Sequence, residues 1–369
     1  MRSGNQQSFY YPELDGLRFL AFMAVFIHNA PAVLPIFPFT TLHDFGWIGV
    51  DLFLCLSAFL LTRLLVNEHA QNGSFSTRKF YVRRILRIWP LYFLAVVLAT
   101  AATTHIVNWT PSIFIRFIGL MTFTDNLMAV FYSFNTFVFA SHLWTISYEE
   151  QFYAIIPWIL RWLLKHGSKY KWAVIAGIFA TGVCIKAVLI YLNSPYPTLY
   201  VLPFTHFVAI LGGFMMGLGL FDEPFRKAPH WLLLLLGVAY LALVVALPNQ
   251  NVPGWHLIVT YPGISMTLIV YAVIHGRDSF YSRMLRNKTL VYLGRISYGL
   301  YVFHYFGLNF GLFLAEYFGV SSQGFEFPLM ILLAGFIVTL SYAEVSYRFL
   351  EKPFLRLKER FTMIPSRPV

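Results

Sequence analysis

Two adjacent carboxylates, Glu149 and Glu150, follow Ser147 at the start of a strongly apolar run. Ionisable side chains at membrane depth are costly, and they usually face a protein interior or a water-filled cavity. A carboxylate in such a place can orient a histidine and stabilise its charged form while the histidine takes a proton from a hydroxyl group. The three side chains are therefore candidate catalytic residues, and they require a surrounding membrane and a partner base.

His28 is the base that the sequence offers. It follows Arg18 by ten residues in the first apolar segment, which is roughly 15 Å along a helix. That rise places His28 about two-thirds of the way across a bilayer, at a depth similar to that of Glu150. The two residues are expected to meet, with Glu150 orienting the imidazole. The alternative is a histidine that a neighbouring backbone carbonyl satisfies.

A basic segment, residues 78–92, leads into the third apolar run and contains Arg83, Arg84 and Arg87. These arginines lie on neighbouring turns of a helix, and a guanidinium group binds phosphate oxygens through two parallel hydrogen bonds. The functional interpretation is a clamp for a cytosolic donor that carries several phosphates. The alternative interpretation is a topology anchor or a contact with anionic lipid headgroups.

The composition indicates an all-α polytopic membrane protein. Of 369 residues, 58% are hydrophobic and only 12% are charged, whereas about a quarter of the residues in soluble domains are charged. The net charge of +11 reflects basic cytoplasmic loops, so no nucleic-acid partner is expected. Cys55 and Cys184 both lie in apolar runs, and neither a disulfide framework nor a metal site is indicated. One membrane domain over residues 1–369, with no fused soluble domain, is the simplest organisation.

Ten apolar runs approach the length of about 20 residues that a helix needs to cross a bilayer. They lie near residues 14–34, 45–66, 90–107, 146–164, 172–192, 200–221, 231–247, 257–275, 291–313 and 327–347.

Basic residues are concentrated in alternate loops between these runs, so the positive-inside rule places both termini in the cytoplasm. The even span count requires that the chain enters and leaves residues 112–141 on the same, outer side of the membrane. This stretch has a short apolar run that carries Arg116 and is followed by Asp125. We expect a re-entrant or paired half-helix segment that lines a cavity. The alternative is one ordinary span with a second that the pattern conceals.

Five motifs, in this order, resemble those of the acyltransferase 3 family of bacterial inner-membrane enzymes. They are Leu14-Asp-Gly-Leu-Arg18 with a downstream His, Gly49-Val-Asp-Leu-Phe-Leu-Cys-Leu-Ser-Ala-Phe-Leu60, Arg83-Arg-Ile-Leu-Arg-Ile-Trp-Pro90, Leu143-Trp-Thr-Ile-Ser-Tyr-Glu-Glu-Gln-Phe-Tyr153 and Ile296-Ser-Tyr-Gly-Leu-Tyr-Val-Phe-His304.

The resemblance implies transfer of an acyl group, usually acetyl, from acyl-coenzyme A to a hydroxyl of a sugar or another acceptor that faces the periplasm. It implies that Arg18 and the basic cluster address the coenzyme. His28 would be the central catalytic group, as general base or as acyl carrier, and Ser147 and Glu150 are carried over with it. The expected partners are acyl-coenzyme A, a glycan or other hydroxyl acceptor and the lipid bilayer.

Two departures from the family pattern affect the site. The family has ten residues between the Arg and the His of the first span, whereas nine separate Arg18 from His28, and Asn29 stands in the usual place. On a helix, an offset of eleven returns to within roughly 20° of the same face, and an offset of ten lies about 80° away. His206 and Ala209 replace a common arginine and glutamate, which suggests a different acceptor.

The second functional hypothesis is a carrier or exporter that moves a glycan or small molecule without acyl transfer, because intramembrane charges also occur in transporters. The arginine cluster favours the enzyme, since a phosphate-rich donor accounts for it. Three other polar residues remain open from the sequence. Asp51 lines the cavity or pairs with an interior arginine, Lys186 faces the cavity or snorkels, and His304 belongs to the site or is a hydrogen-bonded core histidine.

Overall fold

The computed structural model describes residues 10–132, 137–167, 170–194, 197–246 and 262–363. These residues form helices joined by turns, and no strand occurs among them. Long apolar runs become helices because a helix satisfies its backbone N–H and C=O groups within one segment.

The α-helices in the described ranges are numbered in chain order. They are α1 (Pro12–His28), α2 (Phe39–Phe45), α3 (Ile48–Asn72), α4 (Thr77–Ile106), α5 (Pro111–Met121), α6 (Asp125–Phe131), α7 (Trp144–His166), α8 (Lys171–Tyr191), α9 (Thr198–Val201), α10 (Phe207–Gly217), α11 (His230–Ala246), α12 (Pro262–His275), α13 (Phe280–Leu285), α14 (Lys288–Arg295), α15 (Ser297–Tyr317), α16 (Glu326–Ser346) and α17 (Lys352–Glu359).

Each of the ten apolar runs overlaps one of these helices. Among the described residues, four helices have the length and composition to cross a membrane. They are α3, α4, α8 and the continuous helix Glu326–Glu359, in which a π turn joins α16 to α17. The total of ten spans and the cytoplasmic termini stay predictions. The start of the eighth run, residues 257–261, and the residues 248–256 that precede it lie outside the described residues.

The chain divides into two compact units. The first unit comprises Met1–Gly49, Leu64–Ala95 and Val273–Val369, and the second comprises Val50–Arg63 and Val96–Ala272. The single membrane domain expected from the sequence stays a prediction.

In the first unit, α1 packs against α2, α13, α14 and α15, and α15 packs along α16. Backbones approach closely where α15 crosses α16. A Cβ atom on Gly307 would lie 2.1 Å from Thr339 Oγ1 and 2.3 Å from the Gly335 carbonyl oxygen. Small residues at a helix crossing permit this contact. The crossing therefore fixes the helices that surround α1.

In the second unit, residues 111–132 contain the helix pair α5 and α6, which contact each other. Phe123, with a φ of 55°, lies at the break between them. Arg116 Nε and Nη2 donate to the two carboxylate oxygens of Asp125 at 2.5 and 2.9 Å, and both side chains are fully buried. With 11 and 7 residues, neither helix reaches spanning length. The paired half-helix interpretation describes this part of the stretch, and its lining of a cavity stays a prediction.

Candidate functional site

His28 is the last residue of α1, and its ring is anchored through one nitrogen. Nδ1 lies 2.6 Å from the backbone oxygen of His43. A carbonyl oxygen only accepts hydrogen bonds, so Nδ1 carries the proton and Nε2 presents its lone pair. Nε2 has no hydrogen-bond partner among the described residues. The structure thus gives His28 the tautomer that a general base at Nε2 requires.

Glycine contacts hold the His43 carbonyl in place. His43 lies in α2, and Gly46 ends that helix against α1. A Cβ on Gly46 would lie 2.2 Å from the Ala24 carbonyl oxygen, and a Cβ on Gly49 would lie 2.5 Å from that of Ala21. Only glycine permits such an approach of two backbones. The orientation of the imidazole therefore depends on how α2 packs on α1.

Asn29, the neighbour of His28, belongs to a closed hydrogen-bond network. Its Oδ1 accepts from the Tyr305 hydroxyl at 2.9 Å. Its Nδ2 donates to the Val25 carbonyl oxygen at 2.9 Å and lies 3.3 Å from Nε2 of His304. Nδ1 of His304 in turn lies 2.6 Å from a backbone oxygen, that of Tyr301, and the residue is fully buried. His304 is therefore a hydrogen-bonded core histidine. Of these two histidines, His28 is the one with a ring nitrogen that makes no hydrogen bond to a described residue.

Arg18 lies one helical turn from Asp15, near the start of α1. Its Nη1 donates to Asp15 at 2.9 Å, and the arginine side chain is 15% exposed. The Tyr10 hydroxyl donates to the other carboxylate oxygen of Asp15, also at 2.9 Å. Arg18 is thus fixed by a charge on its own helix. Its contact with a coenzyme stays a prediction.

The basic segment lies in α4, and its three arginines differ in environment. Arg83 is 2% exposed and forms an ion pair, through Nη1, with Glu68 at the end of α3, which is fully buried. Nε and Nη2 of Arg83 have no hydrogen-bond partner among the described residues. Arg84 and Arg87 are partly buried. One cation of the predicted clamp is therefore held by a counter-charge that the sequence analysis did not identify.

Ser147, Glu149 and Glu150 lie in the first turns of α7, in the second unit. Ser147 is fully buried, and its Oγ has no hydrogen-bond partner among the described residues. Glu149 accepts a hydrogen bond from the Tyr153 hydroxyl, and both carboxylates are partly buried. Because His28 belongs to the first unit, its predicted meeting with these residues stays a prediction.

The second unit contains a buried charge cluster around His206. Nδ1 of His206 lies 3.1 Å from both carboxylate oxygens of Asp51, and Nε2 lies 3.0 Å from the Tyr200 carbonyl oxygen. Each ring nitrogen of His206 therefore has a hydrogen-bond partner. Lys186 donates to the Thr205 carbonyl oxygen at 3.3 Å and is buried rather than snorkelling. Asp51 therefore pairs with a histidine, whereas one of the two alternatives from the sequence was an interior arginine.

Glu68 and the His43 carbonyl are the site groups that sequence reasoning missed. Glu68 is an acidic residue among the polar residues that end α3, which is a weak signal for a buried ion pair. A backbone oxygen such as that of His43 has no signal in the sequence.

Within the described ranges, no group of three or more His, Cys, Asp or Glu side chains is arranged to hold a metal ion.

Comparisons with known proteins identify relatives over nearly the whole chain. A family model described as an acyltransferase domain, Acyl_transf_3, matches residues 11–344. The O-acetyltransferase OatA of Staphylococcus aureus, from strain NCTC 8325 and from strain COL, is 26% identical over 97% of this chain and 59% of its own length. The Staphylococcus aureus protein SACOL0978 is 24% identical over 94% of this chain. The chain spans 57% of SACOL0978, so it covers less than two thirds of each of these relatives. No solved structure matches the chain.

Proposed function

The chain belongs to the acyltransferase 3 family, and from this premise we propose that it is a membrane-bound O-acyltransferase. It transfers an acyl group, with acetyl as the first candidate, from acyl-coenzyme A to a hydroxyl group. The name of the OatA relatives supports acetyl transfer to oxygen.

The observation that carries the proposal is the anchored tautomer of His28. Its Nδ1–H donates to the His43 carbonyl oxygen at 2.6 Å, so Nε2 can accept a proton. A positioned neutral imidazole with a free lone pair is suited to this task. The His43 carbonyl also stabilises the imidazolium that forms, because it remains an acceptor for the Nδ1 proton.

The reaction proceeds by addition to the thioester. Nε2 of His28 takes the proton of the acceptor hydroxyl as its oxygen attacks the thioester carbonyl carbon. The carbon–sulfur bond breaks, an ester forms, and the imidazolium returns the proton to the leaving thiolate. In a two-step variant, Nε2 itself attacks the thioester carbonyl carbon, and the carbon–sulfur bond breaks to release coenzyme A as its thiolate. The acceptor hydroxyl then attacks the acyl-imidazolium, the bond to Nε2 breaks as the ester forms, and the hydroxyl proton passes to the thiolate.

The donor is proposed to bind on the cytoplasmic side, where its phosphate groups would contact Arg18, Arg83, Arg84 and Arg87. Coenzyme A carries several phosphate groups, and arginine is the side chain best matched to them. Its extended arm would pass Arg18 towards His28, so that only the acyl group needs to cross the membrane. The direction of this path rests on the positive-inside pattern of the loops.

The acceptor is proposed to be a glycan or another glycosylated molecule on the periplasmic side of a bacterial inner membrane. Three residues are assigned to the hydroxyl of the acceptor and to the charge on His28, namely Ser147, Glu149 and Glu150. Ser147 supports the assignment because its buried hydroxyl has hydrogen-bonding capacity that no described residue uses.

The test is transfer and hydrolysis of radiolabelled acetyl-coenzyme A by the purified full chain in nanodiscs. Wild type is compared with His28→Ala, with Arg84→Ala and with the control Gly177→Ala, which adds a methyl group where no atom lies within 4 Å. We expect His28→Ala to abolish label release or capture, Arg84→Ala to raise the KM for the donor, and the control to behave as wild type.

The outcomes separate the alternatives. Donor binding with turnover that does not depend on His28 would move the base elsewhere. Absence of donor binding by the wild type would contradict the enzyme and favour a carrier. Label that remains covalently attached to wild type after denaturation, and is lost in His28→Ala, would identify the two-step route.

A further inference from the structure

The second half of α7 has one exposed face that combines aromatic and basic side chains. Its members are Trp158, Arg161, Trp162, Lys165 and His166, and all five are exposed. Residues three and four apart lie on the same side of a helix, so this spacing forms a single continuous face. The opposite face is buried, with Tyr153, Ile156, Leu160 and Leu163. The exposed rings are therefore not part of the core of the second unit.

The exposed face changes in character along the helix axis. Ile155 is exposed and apolar, Trp158 and Trp162 follow, and Lys165 and His166 end the helix. Ten residues separate Ile155 from Lys165, which is roughly 15 Å along a helix, or about half of the hydrocarbon core of a bilayer. Tryptophan is enriched at the membrane–water interface, and basic residues lie beyond it on the cytoplasmic side. The order of side chains thus matches one leaflet, from hydrocarbon to headgroup.

The start of α8 repeats this order in the opposite direction. Lys171 begins the helix, Trp172 is 53% exposed, and Phe179 is exposed two turns further on. The ring of Tyr170, which precedes α8, lies 5.7 Å from the ring of Trp162 on α7. The two helix ends therefore form one surface, which we call the corner surface and define as residues 158–166 and 170–172.

The charge on the corner surface has one sign. Arg161, Lys165 and Lys171 lie on it, and the sequence contains no Asp or Glu between Glu150 and Asp222. A second copy of the same surface would be repelled by these charges, and a soluble anion would not cover the aromatic rings. We infer that the corner surface binds the headgroup of an anionic phospholipid. This inference does not depend on the proposed function.

Aromatic rings hold the polar groups of the corner surface in place. Cζ of Arg161 lies 5.8 Å from the centre of the Trp158 ring, and the rings of His166 and Trp162 lie 4.8 Å apart. A guanidinium group over an indole ring is attracted to it, and its reduced freedom lowers the entropy lost on binding. Arg161 can then donate to phosphate oxygens of a lipid. The corner surface is thus a defined site rather than a diffuse charge.

The experiment measures lipid binding to the purified full chain in detergent by native mass spectrometry. Dioleoyl phosphatidylglycerol and dioleoyl phosphatidylcholine have the same acyl chains, so the ratio of their Kd values isolates the headgroup. Arg161→Gln/Lys165→Gln removes two charges from the corner surface. The control Arg226→Gln/Lys227→Gln removes two charges from another exposed segment of the same unit, where Arg226 faces Glu223 at 3.9 Å.

For wild type, we expect phosphatidylglycerol to bind at least about tenfold more tightly than phosphatidylcholine. We expect the double variant on the corner surface to reduce this preference roughly 5- to 30-fold, since each cation near an anionic headgroup contributes about fivefold in affinity. The control is expected to stay within about twofold of wild type. Trp158→Leu keeps every charge and is expected to reduce the preference roughly two- to fivefold, because it removes the ring that holds Arg161.

Three results would overturn the inference. Equal losses in the double variant and in the control, or a wild-type preference in Trp158→Leu, would indicate a diffuse electrostatic layer without a site. Displacement of bound phosphatidylglycerol by equimolar glycerol 3-phosphate would identify a soluble phosphate as the ligand. A wild-type oligomer that dissociates in the double variant would assign the corner surface to a second copy of the chain.

Discussion

The substitution Gly46→Ala tests whether the packing of α2 orients the catalytic imidazole. The new Cβ would lie 2.2 Å from the Ala24 carbonyl oxygen and 2.3 Å from that of Leu42, and neither backbone atom can rotate away. Relief of the clash with Ala24 requires α2 to move away from α1 by about 1 Å. The Nδ1 to His43 oxygen distance, now 2.6 Å, would then reach about 3.6 Å, beyond the limit of a hydrogen bond.

The loss of that bond sets the expected size of the effect. A hydrogen bond that involves a charged group contributes about 1.5–3 kcal/mol, and the imidazolium is charged in the transition state. We therefore expect kcat for acetyl transfer to fall roughly 10- to 100-fold. Donor affinity is expected to remain unchanged, because the residues assigned to the coenzyme lie on α1 and α4. The added methyl group is also expected to lower stability by about 1–3 kcal/mol.

The assay is single-turnover acetyl transfer in nanodiscs at saturating donor, with coenzyme A binding measured on the same samples. Gly177→Ala is the matched control, since its new methyl group meets no atom within 4 Å. A folded Gly46→Ala protein with wild-type kcat would refute the claim that the His43 carbonyl orients His28. A parallel loss of donor binding would show that the substitution disturbs more than the imidazole.

Two further predictions concern stability. Arg116→Met leaves Asp125 buried without its arginine and is expected to destabilise the protein by about 3–5 kcal/mol, whereas Arg116→Met/Asp125→Leu is expected to be close to neutral. Thermal unfolding midpoints in detergent distinguish the single from the double variant. Equal losses of stability in the two variants would contradict the buried ion pair. Tyr305→Phe removes the hydrogen bond to Asn29 and is expected to lower stability by about 1 kcal/mol, with kcat within about threefold of wild type. A fall in kcat of more than tenfold in Tyr305→Phe would place that network in the reaction.

The elements that carry the candidate site follow closely from the sequence, because apolar surroundings leave the backbone few alternatives to a helix. Each predicted run overlaps a helix, and α1 includes both Arg18 and His28. The first run was expected to continue to residue 34, whereas α1 ends at His28. That end allows the ring of His28 to meet the backbone of His43 in the following helix.

The partners of the charged residues did not follow from the sequence. Pairing between Glu68 and Arg83 depends on how the turn between α3 and α4 brings two helices together, and residue types alone do not specify this geometry. Asp51 illustrates the same limit, because any buried cation could have balanced it and the fold supplies His206. The pattern predicted which side chains are polar, while tertiary packing determined their partners.

The short connection between α3 and α4 bears on the order of folding during synthesis. Gly73, with a φ of 70°, ends α3, and Glu68 and Arg83 are only fifteen residues apart in the chain. A contact this local closes a small loop, and such contacts form rapidly and with little entropic loss. The ion pair can therefore form while most of the chain is still being translated. The arginine assigned to the donor would acquire its counter-charge long before α15 and α16, which pack around the first helix, have left the ribosome.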